Sequence, residues 1–393
     1  MLASGSSAAL ADQRVLVVHN RYRQSGGEER YVRELMDLLG GHAAAAALYE
    51  HSSESIGRLS AGGAIIRGGR EPERIGVAAG KIDATIVHAH NIHPAVGWRG
   101  LKAAHDSGAA VVMHLHNYRL FCAIGVAYRD GHDCLECAPR STQQGLRHNC
   151  RGSMPEAAAY AIGLRRAQPH LAELVDLFVS PTKQLAADLH DAGLDLPIEV
   201  LPTSLPAAEI VDQSRCADGG YGLFAGRVTR EKGILTAVEA AAKSGCALRV
   251  AGDGPALAEA VELAQTLSAP VDFLGHVDGQ ALVAARLGAA YCVIPSLWRE
   301  VLPFAALEAM GGGIPLLVSR RGGLPELTDP ELVFDAGDSD ALAEQMRVLQ
   351  GDQEIRAAAG ERALRRAREH HGEQQFADRL ATIYATATSC RAA

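Results

Sequence analysis

Short apolar runs of strand length alternate with helix-length segments along the whole chain, and the runs are apolar on both faces. RVLVVH (14–19), ATIVH (84–88), VVMHLH (111–116), LFVSP (177–181) and IEVLP (198–202) form a first series. A strand without polar alternation has both faces covered, which is the pattern of a parallel sheet flanked by helices. The series then restarts at 222–225, 248–251, 271–274, 291–294 and 316–319. Helices are expected between these runs, at 28–39 in the first series and at 235–242, 256–267 and 281–288 in the second. Two such series predict an α/β chain of two Rossmann-like, doubly wound domains with right-handed crossovers. Facing domains of this kind place the carboxyl ends of their strands across a cleft, where ligands bind.

The length of 393 residues agrees with two or three domains at roughly 150 residues each. The polar stretch SLPAAEIVDQSRCADGG (204–220) has the composition of a linker. It separates an N-terminal domain at 13–203 from a C-terminal domain at 221–372. The closing segment 373–393 contains FADRLATIYATA, apolar at helical spacing and able to pack on either domain, including back on the first. Residues 1–12 are read as an unstructured tail, because no basic region precedes their short apolar patch as a signal peptide requires. No run reaches the roughly 18–20 apolar residues of a membrane span. A cytoplasmic protein is expected, with peripheral contact at the inner membrane face as one option.

The formal net charge of −8 argues against a broad nucleic-acid footprint. Charge is also unevenly distributed: residues 1–190 hold 20 basic and 18 acidic side chains, and the remainder 18 and 28. The two halves are therefore expected to meet different partners.

Several loops carry candidate chemistry. In HNRYRQSGGEER, Gly26 and Gly27 lie between a strand and a helix, where bare amides and the helix dipole attract an anion; a tight turn is the plainer account. In LFAGRVTREKG, Arg227 and Lys232 suit a diphosphate, one as a fork and one as a point charge, or form a solvated loop. Gly252 and Gly254 make a G-x-G turn that lacks the third glycine of the dinucleotide fingerprint, Leu257 standing in its place. His276 and Val277 follow the next strand, where exposed backbone can read the edge of a base. Glu300 precedes a short helix starting near Pro303, and Glu308 lies inside it. A carboxylate in a cleft can accept hydrogen bonds from vicinal hydroxyls, as in ribose or a hexose; spacing alone also allows two ordinary acids.

The string E-x7-E from Glu300 to Glu308, then A-M-x-x-G-x-P and G-G-x-P-E, resembles glycosyltransferase family 4, enzymes of the GT-B fold. AGDGP, FLGHV, IPS, VVMHLHNYR and the GG-E loop follow the family's order, so the resemblance extends from about Arg14 to Ala387. It implies a retaining glycosyltransferase that moves a sugar from a UDP-sugar or GDP-sugar to an acceptor hydroxyl without a catalytic metal. The acceptor would be a carbohydrate, a lipid-linked glycan or a small molecule. By the same resemblance, Glu308 would bind the ribose and Glu300 the donor sugar, with Leu302 beside it. Arg227 and Lys232 would hold the diphosphate, Gly26 and Gly27 would approach it from the first domain, and His116 would lie over the donor sugar. The chain departs from the family at Asn117, at Thr203-Ser204 and at Leu302-Pro303, which replaces Phe-Gly and leaves the sugar open. The departing phosphate is the expected base, with Glu28, Glu29 and His116 as protein candidates. The alternatives are a catalytically silent nucleotide-sugar-binding protein and a sugar-nucleotide epimerase of similar fold.

Cys122, Cys134, Cys137 and Cys150 cluster in a loop at 122–150 that follows the strand VVMHLH. Their count and spacing fit a structural tetrahedral zinc, free thiols or disulfides, and a subset of the resembling enzymes carries a similar insert. The following Arg140, Arg147, Arg151, Arg165 and Arg166 suit either an anionic lipid or diphospholipid or a solvated helix face.

Overall fold

Every strand expected from the two series forms in the computed structural model, which describes residues 10–22 and 26–392. In the first sheet these are β1 (Arg14–Arg21), β3 (Ile86–Ala89), β4 (Ala110–His114), β5 (Leu177–Ser180) and β6 (Ile198–Val200), joined by β2 (Ala45–Ser52). The order is β2-β1-β3-β4-β5-β6, and all pairings are parallel. The second sheet holds β7 (Gly222–Ala225), β8 (Leu248–Ala251), β9 (Val271–Gly275), β10 (Tyr291–Ile294), β11 (Leu316–Ser319) and β12 (Val333–Phe334). Its order is β9-β8-β7-β10-β11-β12, again parallel throughout. In these two sheets the strands that pattern reading missed, β2 and β12, both lie at the edges. An edge strand such as AAALYEHS is half-exposed and needs no continuous apolar run, so it leaves a weak signal.

Helices relevant to the site are α1 (Gly27–His42), α2 (Met154–Leu174), α3 (Ile234–Ser244), α4 (Gly279–Leu287), α5 (Phe304–Gly311), α6 (Gln353–His371) and α7 (Glu373–Ala392). The first carries Glu28 and Glu29 in its opening turn and buries Tyr31, Val32, Leu35 and Leu39 along one stripe.

The chain divides into two compact units. Unit 1 comprises 10–129, 134–203 and 374–392; unit 2 comprises 130–133 and 204–373. The closing helix thus belongs almost entirely to unit 1, where its Phe376 meets Tyr31 edge-on at 6.2 Å and its Tyr384 reaches His88. Segment 204–220, read above as a linker, is instead part of the packed body of unit 2. Leu205 and Cys216 are fully buried there, and the Arg356 guanidinium of α6 donates to the carbonyls of Cys216 and Ala217. Buried carbonyls satisfied by an arginine let a polar stretch pack. Of the expected tail, residues 1–9 lie outside the described residues; Leu10, by contrast, is fully buried, and its carbonyl accepts from the Gln13 amide.

Candidate active site

In unit 2 the loops at the carboxyl ends of β7, β8 and β10 interlock through backbone. Gly252 has φ +156°, and a Cβ there would stand 1.8 Å from the Gly226 carbonyl oxygen. A Cβ on Gly254 would stand 2.3 Å from the Val228 oxygen. Both glycines are therefore required by loop-on-loop packing, whatever else they contact. His276 is exposed after β9, and Val277 and Leu302 pack as half-buried side chains on the unit 2 core.

Glu300 follows β10 and is 7% exposed. Its Oε1 accepts from Lys232 Nζ at 2.6 Å, from Trp298 Nε1 at 2.6 Å and from Ser296 Oγ at 2.8 Å. Lys232 sits in a single 3₁₀ turn (Arg230–Lys232), and its ammonium lies 5.2 Å from the centre of the Trp298 ring. Burial raises the Glu300 pKa, but the Lys232 charge and the three hydrogen bonds outweigh it, and the carboxyl titrates below the usual range. With all three donors on Oε1, Oε2 is left for another partner. Arg227 is exposed at the end of β7, and its guanidinium makes no ion pair among the described residues. Glu308 is held by an ion pair with Arg286 of α4. Arg286 is 9% exposed and went unnoticed in the sequence, because nothing local marks an arginine near a helix end as the partner of an acid 22 residues away.

In unit 1 the expected anion-facing amide is already used. Gly26 N–H donates to Glu29 Oε2 at 2.8 Å, and Tyr22 N–H donates to Glu29 Oε1 at 2.8 Å. Burial raises the Glu29 pKa, but the His19 ring and these amides bring it down to about 2. Gly27 opens α1 and is exposed. Glu28 differs from its neighbour: burial dominates and holds its carboxyl above the usual range, against the pull of His19, the Tyr22 hydroxyl and Arg119. Glu28, His116, Asn117 and Arg119 line a cavity of about 30 Å³, room for roughly one water.

His116 is half-buried, and its Nε2 lies 2.9 Å from His90 Nδ1. Burial, then the nearby histidines, depress its pKa to about 3, so it stands neutral at pH 7. It belongs to a larger group that motif reading missed. His19, His88, His90 and His114 are at most 2% exposed. The register Val17↔His88↔Val112 puts the i+2 neighbours of these residues on one face of the sheet. The two H-x-H pairs on successive strands were the available signal. No disulfide joins the four cysteines of the 122–150 loop, of which Cys122 and Cys137 are buried. Burial, then the neighbouring thiols, push Cys137 up to about 11. A tetrahedral zinc needs its sulfurs about 3.8 Å apart; among the described residues, the ligating atoms that come within 4.8 Å of one another in a group of three belong to His88, His90 and His114 instead.

Residues 213–366 match the family described as Glycosyl transferases group 1. A curated relative, N-acetyl-alpha-D-glucosaminyl L-malate synthase of Bacillus anthracis, is 30% identical over 142 residues, 35% of this chain and 36% of that protein. The match thus spans about a third of that relative's length. Among solved structures, sucrose-phosphate synthase from Thermosynechococcus elongatus superposes with TM-score 0.68 at 19% identity, covering 95% of this chain and 98% of the other. Alr3699/HepE of Anabaena, in complex with UDP and glucose, gives TM-score 0.63 at 14% identity, covering 94% and 98%. The chain therefore has the GT-B fold, two doubly wound parallel sheets, and residues 213–366 of unit 2 are similar to the glycosyl transferases group 1 family.

Proposed function

We propose that this protein is a retaining glycosyltransferase that transfers a sugar from a UDP-sugar or GDP-sugar to a hydroxyl of a carbohydrate, lipid-linked or small-molecule acceptor. Unit 2 binds the donor and unit 1 the acceptor. The observation that carries the reading is the Lys232–Glu300 pair, held by Trp298 and Ser296 at the carboxyl end of a parallel strand. It presents one free carboxylate oxygen for sugar hydroxyls and one ammonium with spare protons for a phosphate. Arg227 completes the diphosphate clamp, and Glu308, steadied by Arg286, accepts from the ribose. The family match and the UDP bound by a fold neighbour support the donor class.

In this reading the acceptor hydroxyl attacks on the face from which the phosphate departs, and the phosphate takes its proton. The protein positions the reactants and stabilises the leaving charge; no metal takes part in that step. His116, neutral at pH 7, offers a hydrogen bond and no charge. Of the protein candidates for the acceptor proton, Glu28 is the one whose carboxyl burial holds above the usual range.

UDP- and GDP-sugars are screened for binding and for slow donor hydrolysis, without added divalent cation. One donor class is expected to bind and be hydrolysed, and Glu308→Ala is expected to weaken it at least tenfold. If no donor binds, or if Glu308→Ala binds as tightly as wild type, the site assignment is wrong.

A further inference from the structure

Three histidines buried in unit 1 share an arrangement that the transfer reaction does not use. One ring nitrogen each from His88, His90 and His114 lie within 4.8 Å of one another. The Nε2 atoms of all three are buried and have no hydrogen-bond partner. Leaving a buried polar atom unpaired is costly, so three in one place call for a ligand that pairs them together.

Their other nitrogens are each engaged. His88 Nδ1 lies 2.9 Å from the Tyr384 hydroxyl, His114 Nδ1 3.3 Å from the Tyr31 hydroxyl, and His90 Nδ1 2.9 Å from His116 Nε2. With the proton on Nδ1 in each ring, the outer partner accepts it and the Nε2 lone pair is left without a partner. This is the outer shell that orients metal-binding histidines.

We propose that His88, His90 and His114 bind one divalent transition-metal ion of the zinc class through Nε2. The proposal stands apart from the transferase reading. Imidazole nitrogens suit zinc, copper and nickel, and oxygen-seeking magnesium or calcium poorly. The rings stack at 4.6–5.6 Å between centroids and 21–26° between planes. A tetrahedral ion with bonds of about 2.0–2.1 Å draws its nitrogens to about 3.3 Å, so each ring tilts about its last torsion on loading. Loading ties β3 to β4 and, through Tyr31 and Tyr384, to α1 and α7.

The test uses the full chain, stripped with chelator and titrated with Co²⁺, followed by competition with Zn²⁺. The expected result is one equivalent whose d–d absorption, in the difference between wild type and His114→Gln, has no thiolate charge-transfer band. Tyr384→Phe removes the outer partner of His88 without touching a ligand and is expected to weaken affinity about 10–100-fold. It serves also if His114→Gln fails to fold. No Co²⁺ binding, affinity unchanged in Tyr384→Phe, or a difference spectrum with a thiolate band, which would place the metal in the cysteine loop, each overturns the proposal.

Discussion

At the scale of single residues the chemistry depends on charges that are paired before any ligand arrives. Glu300 is buried and would be costly as a lone anion; Lys232, Trp298 and Ser296 keep it ionised. Replacing Lys232 by Ala removes the only cation among these donors and is expected to cost about 1.5–3 kcal/mol in urea unfolding. Glu300→Gln, which keeps the shape, is expected to cost less. Equal losses would mean that the ion pair has no special place in stability. Because the folded pKa of Glu300 is lowered, its contribution is present above the unfolded carboxyl pKa and is lost as pH falls through the folded value. Arg227 and Lys232 could be picked out of the sequence as candidates because each stands a short way past a strand end. Arg286 and Trp298 were not, since their roles come from contacts that no spacing announces.

At the scale of elements, α7 is the plainest case of a segment whose type was readable and whose partner was not. Its apolar spacing marked a helix, and only the fold brought Phe376 to Tyr31 and Tyr384 to His88 and buried Leu380 and Ile383 with them. Burial of four such side chains is worth roughly 6–12 kcal/mol at about 1.5–3 each, comparable to the whole stability of a domain. A chain ending at Glu373 is therefore expected to be insoluble or to lack cooperative unfolding of unit 1; a soluble, cooperatively folded truncation would refute this. The β8 turn offers a sharper test. Gly252→Ala forces a Cβ against the Gly226 carbonyl at a φ that side chains rarely adopt, and is expected to cost at least about 1–3 kcal/mol and to weaken donor binding. Unchanged calorimetric stability would show that the two loops can separate freely.

At the scale of the whole molecule, the neutral histidines of unit 1 add to the response to acid that Glu300 begins. His88, His93 and His116 are each depressed to about 3, chiefly by burial. The unfolded chain takes up these protons near pH 6.5 and the folded chain only near 3. Stability is thus complete above about 6.5 and declines as pH falls toward 3, by about 1.4 kcal/mol per pH unit for each group. Urea unfolding of chelator-treated protein at pH 7.5, 6.0 and 5.0 measures the decline; a flat profile would contradict neutral burial. The acidic excess beyond residue 190 makes the long-range field there unfavourable to an anion, so the donor site proposed above requires Arg227 and Lys232 to act locally.

What the sequence determined by itself was the succession of elements: strands apolar on both faces, helices between them, and the loops at which glycines and charges stand. These follow from local pattern, because a period of two or of 3.6 residues is written in neighbours along the chain. Only the tertiary structure decided which distant side chains meet: Lys232 with Glu300 across 68 residues, His88 with Tyr384 across 296, and the segment 204–220 packed into unit 2. Those pairings depend on the lateral order of strands and on which face each helix covers. Crossover connections set that order, and it leaves no periodic trace in the residues that finally touch.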